Sequence, residues 1–378
     1  MRNLAVLGST GSVGTQTLSI VEKYKDIFKV KALAADKNVN LLTQQVKKFN
    51  PNIVCVGNTQ ACLKFKNKVK NIKVVCGEEG LIKIAEAEDV DTILFAISGI
   101  SGMGALKKGL EKGKRIAIST KELIVCFGEV LRDFKKRFKG EIVPVDSEHS
   151  AVFQCIHQRK KEEVKRIILT ASGGPLLYKN TKDVKKEEVL KHPVWKMGIK
   201  TTIDSATMMN KCLEIIEAHY LFDIEPEKID VLIHPQGLVH SMVEFIDGSI
   251  VAQLAVPDMR IPILYALSYP DRLSTEIHIN FEKVPNLQFM LPDRKKFPAL
   301  NLAYEVLSRK MTYPAVLAAA DEEAVEMFIR DEISFEEIVN SVKECINAHT
   351  PLYPNEENIK KAVYWAKQYI REKRWCRY

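Results

Sequence analysis

The chain has 378 residues, enough for two or three domains and a sizeable core. Hydrophobic residues make up 46% and charged residues 28%, which excludes a disordered chain, and no apolar run is long enough to cross a bilayer. The net charge of +8 comes from lysines spread over many amphipathic segments, so it reads as a solvated surface suited to anionic small molecules and not as a nucleic-acid footprint. The chain enters a strand at MRNLAVLG, leaving no room for a signal peptide, and its eight cysteines include no C-x-x-C pair. A cytoplasmic protein with neither a zinc site nor a disulfide framework is expected.

Residues 1–146 alternate strand and helix. Strands are predicted at Leu4–Leu7, Val30–Ala34, Ile53–Val56, Thr92–Ile97, Arg115–Ser119 and Ile142–Val145, with helices at Val39–Lys48, Leu81–Ala87 and Glu122–Phe138 among them. This alternation predicts an α/β fold with a Rossmann-like, doubly wound parallel sheet, whose ligands sit beyond the carboxyl ends of the strands. GSTGSVG, Gly8 to Gly14, follows the first strand and opens a helix. Its glycines let the backbone approach a pyrophosphate, and the helix start favours that charge, so a dinucleotide site is preferred over a plain tight turn. After the second strand, Asp36 stands where an acid would hold a ribose 2′-hydroxyl, which suits NAD. Lys37 and Asn38 instead suit the 2′-phosphate of NADP, and the residues leave both readings open.

The sixth strand ends in Asp146-Ser147-Glu148-His149. Helix capping accounts for one acid. Two carboxylates flanking a hydroxyl, joined by a third from elsewhere, would make a hard oxygen site for Mg²⁺ or Mn²⁺. Residues 147–275 read as a central α+β catalytic domain. Its strand Lys165–Thr170 leads into Ser172-Gly173-Gly174, either an anion-cradling turn or a simple Gly-Pro turn. HPVWKMG, His192 to Gly198, reads as a lid or as a surface loop packing one Trp. Thr201–Phe222 reads as one helix with Asp204 and Ser205 as N-cap candidates and Met209, Leu213, Ile216 and Tyr220 on an apolar stripe. Asn210, Lys211 and Glu214 cluster on its polar side, which is either solvated or chemical. Asp247-Gly248 signals a hairpin, and His234 and His240 fall in strand patterns as structural histidines. Residues 276–298, with Pro285, Pro292 and Pro298, read as a linker. A C-terminal helical bundle fills 299–378, with helices at Ala299–Lys310, Ala315–Arg330, Phe335–Asn347 and Glu356–Arg374. It carries no catalytic signature and reads as a support or oligomer-contact domain.

GSTGSVG, DKN, STKE, PVDSEH, TASGGP, HPVWKMG, DSATMMNKCLE and IHPQGLVHSMVEF occur in this order at compatible spacings. Together they resemble the 1-deoxy-D-xylulose 5-phosphate reductoisomerase family over the whole chain. The resemblance implies an NADPH- and metal-dependent rearrangement and reduction of 1-deoxy-D-xylulose 5-phosphate to 2-C-methyl-D-erythritol 4-phosphate, in the non-mevalonate isoprenoid route. It implies one Mg²⁺ or Mn²⁺ held by Asp146, Glu148 and Glu214, with Lys121 and Ser147 at the reacting part of the substrate. It assigns Ser172, Ser205, Asn210 and Lys211 to the phosphate and His192 and Trp195 to a lid. For the cofactor it assigns Thr10, Gly11, Ser12 and Val13 to the pyrophosphate, Lys37 and Asn38 to the 2′-phosphate, and Thr120, Glu122, Gly198 and Met259 to further contacts. A homodimer binding neither membrane nor nucleic acid is implied as well. The chain departs from the family pattern at Asp36, usually Gly, at Thr120, usually Asn, and at Gly237, where HPQS becomes HPQG. Two other readings are an NAD(P)-dependent dehydrogenase of another phosphorylated sugar or aldehyde, and a non-catalytic dinucleotide sensor. Neither has a use for three acids, a phosphate set and a lid together.

Overall fold

The N-terminal alternation of apolar runs and helical segments produces a seven-stranded sheet in the computed structural model, which describes residues 1–69, 72–179, 181, 184–195, 197–284 and 286–372. The strands are β1 (Arg2–Leu7), β2 (Phe28–Ala35), β3 (Ile53–Val56), β4 (Lys73–Cys76), β5 (Thr92–Phe95), β6 (Arg115–Ile118) and β7 (Glu141–Pro144). They pair in parallel in the order β4-β3-β2-β1-β5-β6-β7. The crossovers carry α1 (Ser12–Lys23), α2 (Val39–Phe49), α3 (Thr59–Lys66), α4 (Gly77–Glu86), α5 (Met103–Glu111) and α6 (Lys121–Arg137). Leu4 to Leu7 and Ile93 to Phe95 are wholly buried, as a parallel sheet covered on both faces requires.

The strand order reverses between β1 and β5, so a ligand crevice opens beyond their carboxyl ends. The glycine loop lies there. Gly8 has φ +90, and a Cβ on it would stand 2.1 Å from the Ala96 carbonyl oxygen. A Cβ on Gly14 would stand 2.2 Å from the Gly8 oxygen. The loop and the first turn of α1 therefore close on themselves only with glycine at both positions.

Sequence periodicity misses β4, a four-residue edge strand preceded by lysine-rich chain. Its Cys76 forms a disulfide with Cys62 of α3, with Cα atoms 6.0 Å apart. Among the described residues a single bridge thus forms where the cysteine spacing indicates no disulfide framework. The two cysteines become neighbours only once α3 folds back along β4, which their spacing does not reveal.

After β7 come α7 (Ser147–Cys155), β8 (Val164–Ala171), α8 (Lys186–Val189), α9 (Ile199–Thr207) and α10 (Met209–Phe222). There follow β9 (Ile229–Ile233), β10 (Val239–Phe245), β11 (Ile250–Leu254), α11 (Arg260–Ser268), α12 (Ala299–Arg309), α13 (Tyr313–Ile329), α14 (Phe335–Ala348) and α15 (Glu356–Glu372). A second sheet has the order β11-β10-β8-β9, with only the β8–β9 pair parallel, and Asp247-Gly248 turns the hairpin between β10 and β11 as expected.

The chain divides into two compact units that cut across the expected boundaries. One comprises 1–123, 132–150 and 258–277; the other comprises 124–131, 151–257 and 278–378. The stretch 258–275, expected in the central domain, joins the first unit because α11 is almost entirely apolar. It packs on α1, β6 and β7, and Arg2 donates to the Leu267 and Tyr269 carbonyls at 2.7 and 3.0 Å. Helices α12–α15 belong to the same unit as the second sheet. Of the expected linker prolines, Pro285 lies outside the described residues, as do the last positions of the expected final helix, 373 and 374.

The segment Thr201–Phe222 is not one helix. Met208 takes a left-handed conformation, φ +62 and ψ +14, which ends α9 and starts α10. The Thr207 hydroxyl accepts from the Met209 N–H at 3.2 Å across the break. Asp204 and Ser205 therefore lie in the last turn of α9 and are not N-caps, and Gly198 takes that position.

Replacing Gly14 with Ala would drive a Cβ into the Gly8–Ser9 backbone. We expect Gly14→Ala to cost about 1–3 kcal/mol, as overpacking does, seen as a lower urea midpoint at unchanged m. An unchanged midpoint would show that the loop is free to open.

Candidate active site

In the first unit, Thr10, Gly11, Ser12 and Val13 form the turn into α1, with Gly11 at its N-cap and no acidic side chain in its first turn. The Gly11 N–H donates to the Gly8 carbonyl at 3.0 Å, while Gly11 and Ser12 are exposed at the helix start, where an anion is favoured. Gln45 of α2 fixes the turn from beneath. The Ser9 hydroxyl donates to Gln45 Oε1 at 2.7 Å, and the Gln45 amide donates to the Ser9 carbonyl at 2.8 Å. Gln45 was not among the expected site residues. Its signal is an amide on the apolar face of α2, beside Leu42 and Val46.

Asp36, Lys37 and Asn38 are exposed at the end of β2. The Asn38 side-chain oxygen caps α2 by accepting from the Leu41 N–H at 3.2 Å, so its NH₂ faces outward as a donor. Asp36 is turned toward the β3–α3 loop, where a Cβ on Gly57 would lie 2.9 Å from its Oδ1. Thr120 is buried. Its hydroxyl donates to the Ile97 carbonyl at 2.7 Å, so the side chain anchors the β6–α6 loop. Glu122 and Met259 are half-buried, in the first turn of α6 and at the N-cap of α11.

The acids after β7 are held in a tight arrangement. Lys121 Nζ is 3.1 Å from Asp146 Oδ2, while Asp146 Oδ1 accepts from the Glu148 N–H at 3.2 Å and lies 3.1 Å from His149 Nδ1. The Ser147 hydroxyl donates to Glu148 Oε2 at 2.5 Å. Asp146 thus reads as the hub, with a buried histidine orienting it, a partner that the sequence shows only as the last letter of DSEH.

In the second unit, the polar side of α10 is not solvated. Lys211 and Glu214 are 3% and 1% exposed. The Lys211 ammonium pairs with Glu214 Oε2 and donates to the Thr170 carbonyl at the end of β8, and the Asn210 amide donates to Glu214 Oε1. Both charges survive burial because each is paired and hydrogen-bonded. Two residues past Thr170, the Ser172 turn meets the end of α9: a Cβ on Gly174 would stand 2.5 Å from the Ser205 carbonyl oxygen. Ser172, Ser205, Asn210 and Lys211 are thereby gathered in one region, with two hydroxyls, an amide and a buried ammonium.

His192, in the segment expected to form a lid, reaches that region. His192 Nδ1 accepts from the Val194 and Trp195 N–H groups at 3.2 and 2.8 Å, which places its proton on Nε2, 3.1 Å from the Ser172 hydroxyl. The Trp195 ring lies 5.8 Å from that of His240. Gly198 is exposed and its carbonyl accepts from the Thr202 N–H and hydroxyl. Burial lowers the His192 pKa to about 4.

An imidazolium could not accept at Nδ1, so protonation would release the 192–195 turn. The folded pKa lies below the ordinary 6.5, so the stability that His192 lends is full above pH 6.5 and is lost as pH falls toward 4. We expect its ring resonances in NMR to titrate with a midpoint near 4; a midpoint at the ordinary value would mean that the ring is not seated on Ser172.

Family models described as 1-deoxy-D-xylulose 5-phosphate reductoisomerase match residues 4–128, its C-terminal domain 142–222, and a DXP reductoisomerase C-terminal domain 254–372. A protein of that name from Thermodesulfovibrio yellowstonii is 45% identical over 373 residues, covering 97% of this chain and 98% of that one. Another from Chlorobaculum tepidum is 44% identical over 379 residues, covering 98% and 99%. Among solved structures, the reductoisomerase of Zymomonas mobilis in complex with NADPH has a TM-score of 0.92 and 36% identity over 99% of each chain. A DOX-P reductoisomerase in complex with NADPH, fosmidomycin and magnesium has a TM-score of 0.94 and 34% identity over 99% and 98%. On fold, motif content and full-length similarity together, the chain belongs to the 1-deoxy-D-xylulose 5-phosphate reductoisomerase family.

Proposed function

We propose that this enzyme rearranges and reduces 1-deoxy-D-xylulose 5-phosphate to 2-C-methyl-D-erythritol 4-phosphate, using NADPH and one divalent metal ion. The observation that carries the reading is the buried Asn210–Glu214–Lys211 group beside Ser172 and Ser205. A plain sugar dehydrogenase has no use for a buried, doubly partnered carboxylate next to a phosphate-binding set.

Asp146, Glu148 and Glu214 are the proposed ligands. Their donors are all carboxylate oxygens, which suit Mg²⁺ and equally Mn²⁺. Lys121 on Asp146 and Lys211 on Glu214 are cations already resting on two of them, which fits a place built for positive charge. When bound, the ion polarises substrate oxygens and stabilises negative charge developing on them.

The chain's own groups do the rest. Ser172, Ser205, Asn210 and Lys211 hold the phosphate dianion and fix one end of the substrate. Lys121 and Ser147 orient its reacting end. His192 and Trp195 cover it and exclude water. The turn Thr10 to Val13 receives the cofactor pyrophosphate at the start of α1, and Lys37 and Asn38 its 2′-phosphate. Thr120, Glu122, Gly198 and Met259 complete the cofactor contacts. The same reading makes the chain a cytoplasmic homodimer. Supporting it, edge strand β11 exposes Ile250 and Val251, and no helix among the described residues is long and apolar enough to cross a membrane.

NADPH oxidation should depend on both 1-deoxy-D-xylulose 5-phosphate and Mg²⁺ or Mn²⁺, and chelation should abolish it. Glu214→Gln should lower kcat by about a hundredfold or more while NADPH affinity holds. Near-normal turnover of that variant would rule out the ligand assignment. Lys37→Ala should raise the NADPH KM about tenfold, the size of one lost charge-assisted hydrogen bond, and leave the NADH KM in place. Equal effects on both cofactors would reassign Lys37.

A further inference from the structure

The C-terminal helices make a charged contact with the helix that carries Ser205. Lys200, in the first turn of α9, lies between two carboxylates. Its Nζ is 2.6 Å from Asp204 Oδ2, one turn on, and 2.7 Å from Asp321 Oδ2 in the middle of α13. Asp321 is wholly buried and Asp204 nearly so. α13 is buried over most of its length, from Pro314 to Phe328, and an aspartate at its centre is strongly unfavourable unless a cation meets it. Burial pushes the Asp321 carboxyl up, and Lys200 draws it back down. The second Asp321 oxygen, Oδ1, is buried without a hydrogen-bond partner among the described residues. Cys212 of α10 lies near both acids; burial first, then Asp321, raises its thiol pKa, so it adds no charge.

A bundle serving only as support would cover α9 with apolar side chains, which commonly match or exceed a buried ion cluster in stability. The cluster instead brackets a short functional stretch. Asp204 immediately precedes Ser205, and Lys200 follows Gly198 and Ile199 at the end of the lid loop. We propose that Lys200, Asp204 and Asp321 form a positioning clamp, through which α13 holds Ser205 against the Ser172–Gly174 turn and anchors the C-terminal end of the lid. None of the three need touch the substrate. The proposal rests on the assignment of Ser205 to the phosphate.

The test uses the full chain, with inorganic phosphate as a competitive probe. Asp321→Asn keeps the size and an acceptor for Lys200 but removes the charge. We expect the phosphate inhibition constant and the substrate KM to rise about tenfold, with kcat within about twofold and NADPH affinity unchanged. Lys200→Arg keeps the charge balance, and so the fold, but displaces the cation; a rise of about threefold is expected. Ser205→Ala is the control. If it weakens phosphate while folded Asp321→Asn and Lys200→Arg do not, or if they lower only the melting temperature, the clamp is overturned and the phosphate assignment stands. If Ser205→Ala leaves phosphate binding unchanged, the assignment itself falls and takes the clamp with it. Should Asp321→Asn fail to fold by circular dichroism, Lys200→Arg alone decides between these outcomes.

Discussion

An ammonium and a carboxylate one turn apart on α10, both sealed from water, fix much of what the second unit can be. Lys211 and Glu214 are tolerable inside only if every charged atom has a partner, and the chain supplies them: the Thr170 carbonyl for the lysine, Asn210 for the acid. That requirement sets the distance between α10 and the end of β8. It thereby fixes where the Ser172 turn emerges, and the Gly174–Ser205 approach follows. On the proposed function, an anionic substrate arriving here would meet a cation already desolvated and oriented, with little reorganisation left for binding.

On the proposed function, the two units would recognise anions by different means. In the first, the switch between β1 and β5 and the paired glycines leave backbone N–H groups at a helix start, and side chains such as Gln45 only brace the loop. In the second, side chains would do the binding, and the backbone, as at the Thr170 carbonyl, braces them. The left-handed Met208 is the point where this shows most clearly. By breaking the segment in two, it turns the end of α9 and the start of α10 toward the same region, which one straight helix could not do.

Most of the first unit was legible because its strands are apolar runs bounded by turn residues, and such runs declare themselves locally. β4 was not, being four residues at a sheet edge. The Met208 break was illegible for a plainer reason: neither Gly nor Pro marks it, and local propensity favours a continuous helix. The motif residues were readable by their spacing and by resemblance, but their environment was not. The face of α10 that periodicity leaves to solvent is buried, with Lys211 donating to the Thr170 carbonyl at the end of β8, a strand 41 residues away in the chain. Likewise Asp321 and Lys200 are far apart in sequence, so nothing local joins them. Thr120 illustrates the converse, a motif position whose side chain is committed to the Ile97 carbonyl.

The first unit is assembled from three separate stretches of chain, the last of them 258–277. α11 covers β6 and β7, and the Arg2 side chain is satisfied by carbonyls at 267 and 269. A ribosome delivers those residues only after all of β8 to β11 has emerged. The dinucleotide-binding sheet therefore cannot finish folding in order of synthesis. Its amino-terminal part must wait, with one flank uncovered, while the intervening segment is made, and that interval is where a chaperone would be of most use to this chain.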